Sequence, residues 1–170
     1  MTKLLVRQAI DALNAVSKTS ERLKAEMLQL ASQLPEFPVV MDMCGVGDTL
    51  GPQLMAEIGD VTRFAHRDSI ISFAGVDSGA DQSGHEAKSV RTAKSEPPEL
   101  RKTLFPVMDC LLKTMPQDDP VYQLMDKKRA EGKPYLVYMT AGANKFLHIY
   151  YVKVKEYFAK LEEPSTANPG

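Results

Sequence analysis

The sequence is poor in the residues that build disulfide frameworks and metal sites. Its 170 residues include only two cysteines and three histidines, and neither set has the spacing of a zinc site. No apolar run is long enough to span a membrane, and the first residues lack the apolar core and cleavage site of a signal peptide. We therefore expect a cytoplasmic protein with no bound structural metal and no membrane partner.

Charge is balanced overall but unevenly distributed. The formal net charge of −1 argues against a protein whose whole surface is basic. Between residues 85 and 160, however, 14 Lys and Arg stand against nine Asp and Glu. This excess is compatible with a nucleic-acid-binding face, although a run of charge is usually a solvated surface.

The apolar residues recur at helical spacing, and no stretch alternates as a β-strand does. We therefore predict an all-α fold, with one long helix up to residue 34, a compact helical domain over 38–161 and a disordered tail over 162–170. Several residues are predicted to begin or end helices: Asp68 and Asp119 as N-caps, Pro120 at the first helical position, and Gly59, Gly75 and Gly132 at helix ends.

The long N-terminal helix carries a narrow apolar seam. Its members alternate three and four apart, as in a heptad repeat, and only Ser20 is polar: Val6, Ala9, Leu13, Val16, Ser20, Leu23, Met27, Leu30 and Leu34. Such a seam favours a coiled-coil connector over residues 1–34. The alternative is an amphipathic helix packed on its own domain.

Residues 39–59 have the pattern of a helix-hairpin-helix. A short apolar helix, a turn containing Gly45 and Gly47, and a second helix follow one another. Glycines let such a turn approach a phosphate, and the N–H groups that open the second helix can bind it. An ordinary helical turn remains the alternative.

The stretch from Phe73 to Gly84 is small, polar and rich in glycine. A run of this kind suits a backbone that displays reactive side chains. Within it we single out Ser83, for which capping of a turn is the simpler explanation. A long basic stretch follows, with Lys88, Arg91 and Lys94 three apart and Arg101 beyond them.

Several phrases, taken in order, resemble the C-terminal half of the bridge-RNA-guided insertion-sequence transposases of the IS-one-ten group. They are Pro38 to Ile58, Phe73 to Asp77, Gln82-Ser83-Gly84, Leu100 to Leu104, Asp118 to Tyr122, Glu131 to Pro134 and Asn144 to Tyr151. Each phrase alone is weak, whereas their order and spacing are specific. The helix before Pro35 resembles the coiled-coil connector of that family.

The resemblance implies a role for each matched residue. Ser83 would be the nucleophile that forms a phosphoserine link to DNA, Gln82 would orient a phosphate oxygen, and Gly84 would give the attacking oxygen room. The basic residues would neutralise the transition state or hold the flanking backbone: Lys88, Arg91, Lys94 and Arg101. From the hairpin pattern, Gly45 and Gly47 would bind DNA. The implied partners are DNA, a guide (bridge) RNA and further copies of the chain through residues 6–34. The implied location is the bacterial nucleoid.

The family also has an N-terminal RuvC-like domain whose four acidic residues bind Mg²⁺. We expect that domain to be missing from this chain, so that Mg²⁺ is required only with the absent half and the polypeptide alone does not cleave DNA efficiently. Two departures from the family pattern stand out: residues 94–97 read Lys-Ser-Glu-Pro, and His148 replaces a common arginine.

Three hypotheses follow. The chain is the serine-bearing part of a transposase or recombinase, or a non-catalytic nucleic-acid-binding module that dimerises and regulates an intact transposase, or a helical scaffold with no nucleic-acid role. Ser83 separates the first two, since only a catalytic part needs its hydroxyl.

Overall fold

A computed structural model describes residues 2–76 and 98–162. Within these ranges the fold is all-α, as predicted, and contains no strand. The elements in chain order are α1 (Thr2–Ala31), α2 (Phe37–Met41), α3 (Leu50–Ile58), a 3-10 helix (Val61–Arg63), α4 (Arg67–Ala74), α5 (Pro98–Thr114), α6 (Pro120–Ala130) and α7 (Tyr135–Glu162). Along the described stretches, no helix has both the length and the apolar character that a membrane crossing needs.

The helix α7 forms the centre of the domain. It packs against α2, α4, α5, α6 and the 3-10 helix, and its buried face includes Met139, Phe146, Leu147 and Tyr150. The apolar residues that recur at helical spacing along this face of α7 are therefore largely buried. Leu136 is the exception, since it is 57% exposed. It lies in the first turn of α7, whose neighbouring side chains are exposed as well.

The helix ends follow the predicted chemistry with one correction. Asp119 caps α6, because its carboxylate accepts hydrogen bonds from the N–H groups of Val121 and Tyr122. The prediction that Asp68 caps α4 is wrong. The extended backbone of an N-cap occurs at His66, and Asp68 already lies within the first turn. An acidic side chain there still interacts favourably with the helix dipole.

On α1, burial is confined to the C-terminal end of the helix. Leu28 is half-buried and Ala31 is buried, whereas every described residue before Leu28 is exposed. Neither of these two residues belongs to the heptad seam, which remains open to solvent, with Val16 68% exposed. The burial of Leu28 and Ala31 supports the packing alternative for the last turns of α1. The coiled coil stays a prediction.

Candidate functional site

The predicted site residues divide into two groups. Residues 77–97, called the serine segment below, lie outside the described residues and contain most of them: Gln82, Ser83, Gly84, Lys88, Arg91 and Lys94. The structure describes Gly45, Gly47 and Arg101. It also describes the end of α4 and the start of α5, which flank the serine segment and are called the frame below.

The frame before the serine segment is a capped helix end. Gly75 adopts a left-handed backbone conformation (φ 62°), which glycine tolerates without strain. Its N–H donates to the carbonyl of Ser72, and the N–H of Val76 donates to the carbonyl of Ile71. These two bonds form a Schellman motif. Because Val76 is fully buried, the chain leaves α4 from a fixed point in the core.

The frame after the serine segment is the first turn of α5. Leu100 and Leu104 are fully buried, so this helix is anchored within three residues of its start at Pro98. Arg101 lies between them on the exposed face. Its guanidinium carbon lies 5.5 Å from the ring centroid of Phe105, which leaves the charge available at the surface.

A polar cluster joins this first part of α5 to α3. Glu57 Oε1 accepts hydrogen bonds of 2.9 Å from the Thr103 hydroxyl and from the side-chain amide of Gln53. Glu57 Oε2 is buried and has no hydrogen-bond partner among the described residues. The cluster fixes the position of α5 relative to α3, close to the point where the chain returns from the serine segment.

The two glycines of the predicted hairpin differ in their surroundings. Gly45 has φ +80°, and a Cβ there would lie 2.9 Å from the carbonyl oxygen of Val107. Packing against α5 therefore explains this glycine. Around Gly47 a Cβ would meet nothing within 4 Å, so its backbone is accessible to a ligand. Its carbonyl accepts the N–H of Gly51 in α3. DNA binding at either glycine stays a prediction.

The 3-10 helix contributes an arginine that the sequence patterns did not indicate. The Arg63 guanidinium carbon lies 4.6 Å from the ring centroid of Phe64 and 4.4 Å from that of Phe73. Its Nη2 donates a 2.9 Å hydrogen bond to the carbonyl of Ile58. Phe73 belongs to the last turn of α4, so the guanidinium lies close to the start of the serine segment.

Lys155 of α7 also contacts the chain at Phe64. Lys155 Nζ donates to the Tyr151 hydroxyl at 2.8 Å and to the carbonyl of Phe64 at 3.4 Å. Tyr151 in turn donates to that carbonyl at 3.1 Å. The spacing of Tyr151 and Lys155, four apart on one helix face, was the one sequence signal that this pair could interact.

The acidic residues near the frame have specific partners. The side chain and the backbone N–H of Thr62 donate to Asp60, and these hydrogen bonds hold the pKa of that carboxyl below its usual range. Asp68 Oδ1 lies 3.5 Å from His148 Nε2, but this nitrogen has no hydrogen-bond partner among the described residues. Across 2–76 and 98–162, no three His, Cys, Asp or Glu side chains group as metal ligands.

Comparison with known proteins finds a family match that includes the serine segment and the helices on both sides of it. The sequence profile of the transposase IS116/IS110/IS902 family matches residues 38–123, from α2 to the first turn of α6. The chain belongs to this transposase family. No solved structure matches it.

One curated relative of this transposase chain is the insertion element IS110 uncharacterized 43.6 kDa protein of Streptomyces coelicolor. The two are 22% identical over 153 residues, which cover 90% of the chain. The chain spans 37% of the length of this relative. The family match covers the serine segment together with the helices on both sides of it.

Proposed function

We propose that the chain is the C-terminal, serine-bearing part of a DNA transposase, with Ser83 as the nucleophile for strand cleavage and exchange. The observation that carries this proposal is the family match over residues 38–123. That range includes Ser83, the cap at Gly75 and the anchored start of α5. A catalytic serine needs such a fixed frame, because small displacements of a nucleophile cost large factors in rate.

The chemistry is a phosphoryl transfer that conserves bond energy. The Ser83 oxygen would form a bond to phosphorus while the bond from phosphorus to a deoxyribose oxygen breaks. The hydroxyl proton would pass to a base, and the departing deoxyribose oxygen would take up a proton. The resulting phosphoserine ester would allow the strand to be rejoined by the reverse reaction. Cations near the phosphate would stabilise the charge of the transition state.

The resemblance places Mg²⁺ on a RuvC-like domain, and the described carboxylates do not offer a second site that fits the ion. They form no ligand cluster, and the carboxylate of Asp119 is already engaged as a helix cap. We propose that a RuvC-like domain outside the 170 residues supplies the Mg²⁺ and completes the catalytic site.

DNA binding by this chain would rest mainly on phosphate contacts. Arg101 and the open turn at Gly47 would hold the backbone, with the basic residues of the serine segment nearer the reacting phosphate: Lys88, Arg91 and Lys94. Such contacts position DNA without reading its sequence. We propose that a guide RNA selects the target.

The test is covalent capture of DNA by a full-length transposase that contains this chain joined to a RuvC-like domain. The parent should give a protein–DNA adduct that survives denaturation, and Ser83→Ala should abolish the adduct. Ser78→Ala, in the same segment, is the matched control and should retain it. An adduct that persists in Ser83→Ala would contradict the assignment of the nucleophile.

A second candidate is a regulatory module that dimerises without catalysis. The observation that favours it is the exposed heptad seam of α1, in which Leu13 and Val16 are 67% and 68% exposed. Through that seam the chain would form mixed oligomers with an intact transposase and inhibit it. Adding the chain to a transposition assay would then lower the yield equally with Ser83 or alanine at this position.

A further inference from the structure

Arg63 and Lys155 are two cations held on one residue, Phe64. Arg63 lies against the Phe64 ring, and Lys155 donates to the Phe64 carbonyl. The two side chains come from elements that are far apart in the sequence, the 3-10 helix and α7. Their convergence is therefore a property of the fold and not of a local charge run.

The groups that hold these cations are neutral. Arg63 is fixed by two phenyl rings and the carbonyl of Ile58, and Lys155 by a phenol and the carbonyl of Phe64. Among the described residues, no carboxylate oxygen lies within 4.0 Å of either cation. Asp60 acts on Arg63 only at longer range, and its carboxylate is bonded to Thr62.

Such an arrangement orders the charges without neutralising them. Stacking on two rings removes most of the rotational freedom of an arginine, and the guanidinium has five N–H groups. One hydrogen bond of Arg63 is used within the described protein, and the side chain remains exposed. An immobilised arginine with unused donors is well suited to bind a phosphate, because little side-chain entropy remains to be lost.

We propose that Arg63 and Lys155 form a binding site for a phosphodiester of a nucleic-acid strand. The site deepens the proposed function and rests on it. The Arg63 guanidinium lies over the ring of Phe73. Phe73 comes two residues before Gly75, the cap that ends α4. A strand held by this pair would lie beside the start of the serine segment, so the pair would position the strand that Ser83 is proposed to attack.

The experiment measures binding of the 170-residue chain to duplex DNA and to an RNA hairpin over a series of salt concentrations. Arg63→Gln and Lys155→Gln remove the charge but keep an amide N–H that can donate to the same carbonyl. The double variant should bind roughly tenfold more weakly at about 0.1 M salt, and its salt slope should fall by about 0.9 for each lost phosphate contact. Arg63→Lys, which keeps the charge but loses the planar fork, should lie between parent and Arg63→Gln.

The control is Arg129→Gln. It also removes one positive charge, but in the parent this arginine is paired with Asp126 at 2.8 Å. Its salt slope should stay within experimental error of the parent. Circular dichroism and thermal unfolding identify any variant that fails to fold. In that case the nucleic-acid binding of Arg63→Lys is compared with that of the parent. Loss of binding to DNA or to RNA in the Gln variants supports the site and identifies the strand that it holds.

The site would be overturned if the folded Gln variants bind both nucleic acids as the parent does. If these variants also lose binding of inorganic phosphate, the pair forms a site for a free ion instead. If the parent chain itself binds neither DNA nor RNA, the proposed function fails together with the site. The failure of the site alone is thus distinguishable.

Discussion

The Thr103 hydroxyl donates a 2.9 Å hydrogen bond to Glu57 Oε1 across the boundary between α5 and α3. Thr103 is 2% exposed. We expect Thr103→Val to lower the free energy of unfolding by about 1–3 kcal/mol, because the partly buried carboxylate of Glu57 loses a donor. Urea denaturation followed by circular dichroism measures the change.

The matched control for this prediction is Thr114→Val on the same helix. The Thr114 hydroxyl donates to the carbonyl of Cys110 at an exposed position. Its removal should change the free energy of unfolding by less than about 0.5 kcal/mol. Equal losses in the two variants would show that the link to Glu57 contributes nothing beyond a local helix contact.

A second prediction separates the two hairpin glycines. Gly45→Ala should destabilise the protein by about 2–4 kcal/mol, since the backbone has a positive φ and the new methyl group would meet the Val107 carbonyl. Gly47→Ala should change stability by less than about 0.5 kcal/mol. Thermal unfolding of the pair measures both effects.

The Gly47→Ala variant also tests the predicted contact of the hairpin with DNA. If the turn approaches a phosphate closely, Gly47→Ala should weaken DNA binding without loss of stability. A Gly47→Ala protein that binds DNA as the parent does would favour the ordinary helical turn.

The third prediction concerns the exposed seam of α1. Leu13→Glu and Leu23→Glu place charge at two seam positions that are 67% and 50% exposed. If the seam forms a coiled coil, these changes should shift the chain from dimer or higher oligomer to monomer, because apolar side chains at such positions drive association. Sedimentation velocity at several concentrations measures the shift.

Gln8→Glu is the control, since it adds the same charge to α1 at an exposed position outside the seam. It should leave the oligomeric state unchanged. A parent chain that sediments as a monomer at all concentrations would refute the coiled coil for these residues.

The fourth prediction is a pH dependence of stability. Burial is the main cause that raises the pKa of the Tyr150 phenol well above its ordinary value of 10.0. Above pH 10 the unfolded chain therefore releases this proton while the folded chain keeps it. Stability should fall with rising pH, and Tyr150 should contribute up to about 1.4 kcal/mol per pH unit.

Tyr150→Phe removes this proton and should flatten the alkaline limb by the same amount. Denaturant unfolding of both proteins at a series of alkaline pH values measures the difference. An ultraviolet titration in which every phenol of the folded parent ionises near its ordinary pKa would contradict the prediction.

The sequence predicted local features of the fold better than contacts between distant segments. The cap at Asp119 and the helix ends at Gly59 and Gly75 follow from spacing and turn chemistry, which act within a few residues. The contacts of Arg63 with Phe73, and of Lys155 with Phe64, join segments whose proximity depends on how the helices pack. Single-sequence patterns contain no such information.

The interpretation of Gly45 shows the same limit. A glycine in a turn before a helix is compatible both with approach to a ligand and with approach to another helix. Only the position of Val107, about sixty residues later in the chain, shows that packing already accounts for Gly45. For Ser83 the family resemblance, rather than the local pattern, supplied the proposed role.

The attachment of α1 through Leu28 and Ala31 has a geometric consequence. The axis from Thr2 to Leu28 is about 40 Å long, so the N-terminal end of α1 lies about 40 Å along the helix from this attachment. Each residue deleted within this span would move that end by about 1.5 Å and turn it by about 100°. A deletion of seven residues would nearly restore its direction, whereas a deletion of two would almost reverse it. The length of α1 therefore sets both the reach and the angular phase of anything joined to its N-terminal end.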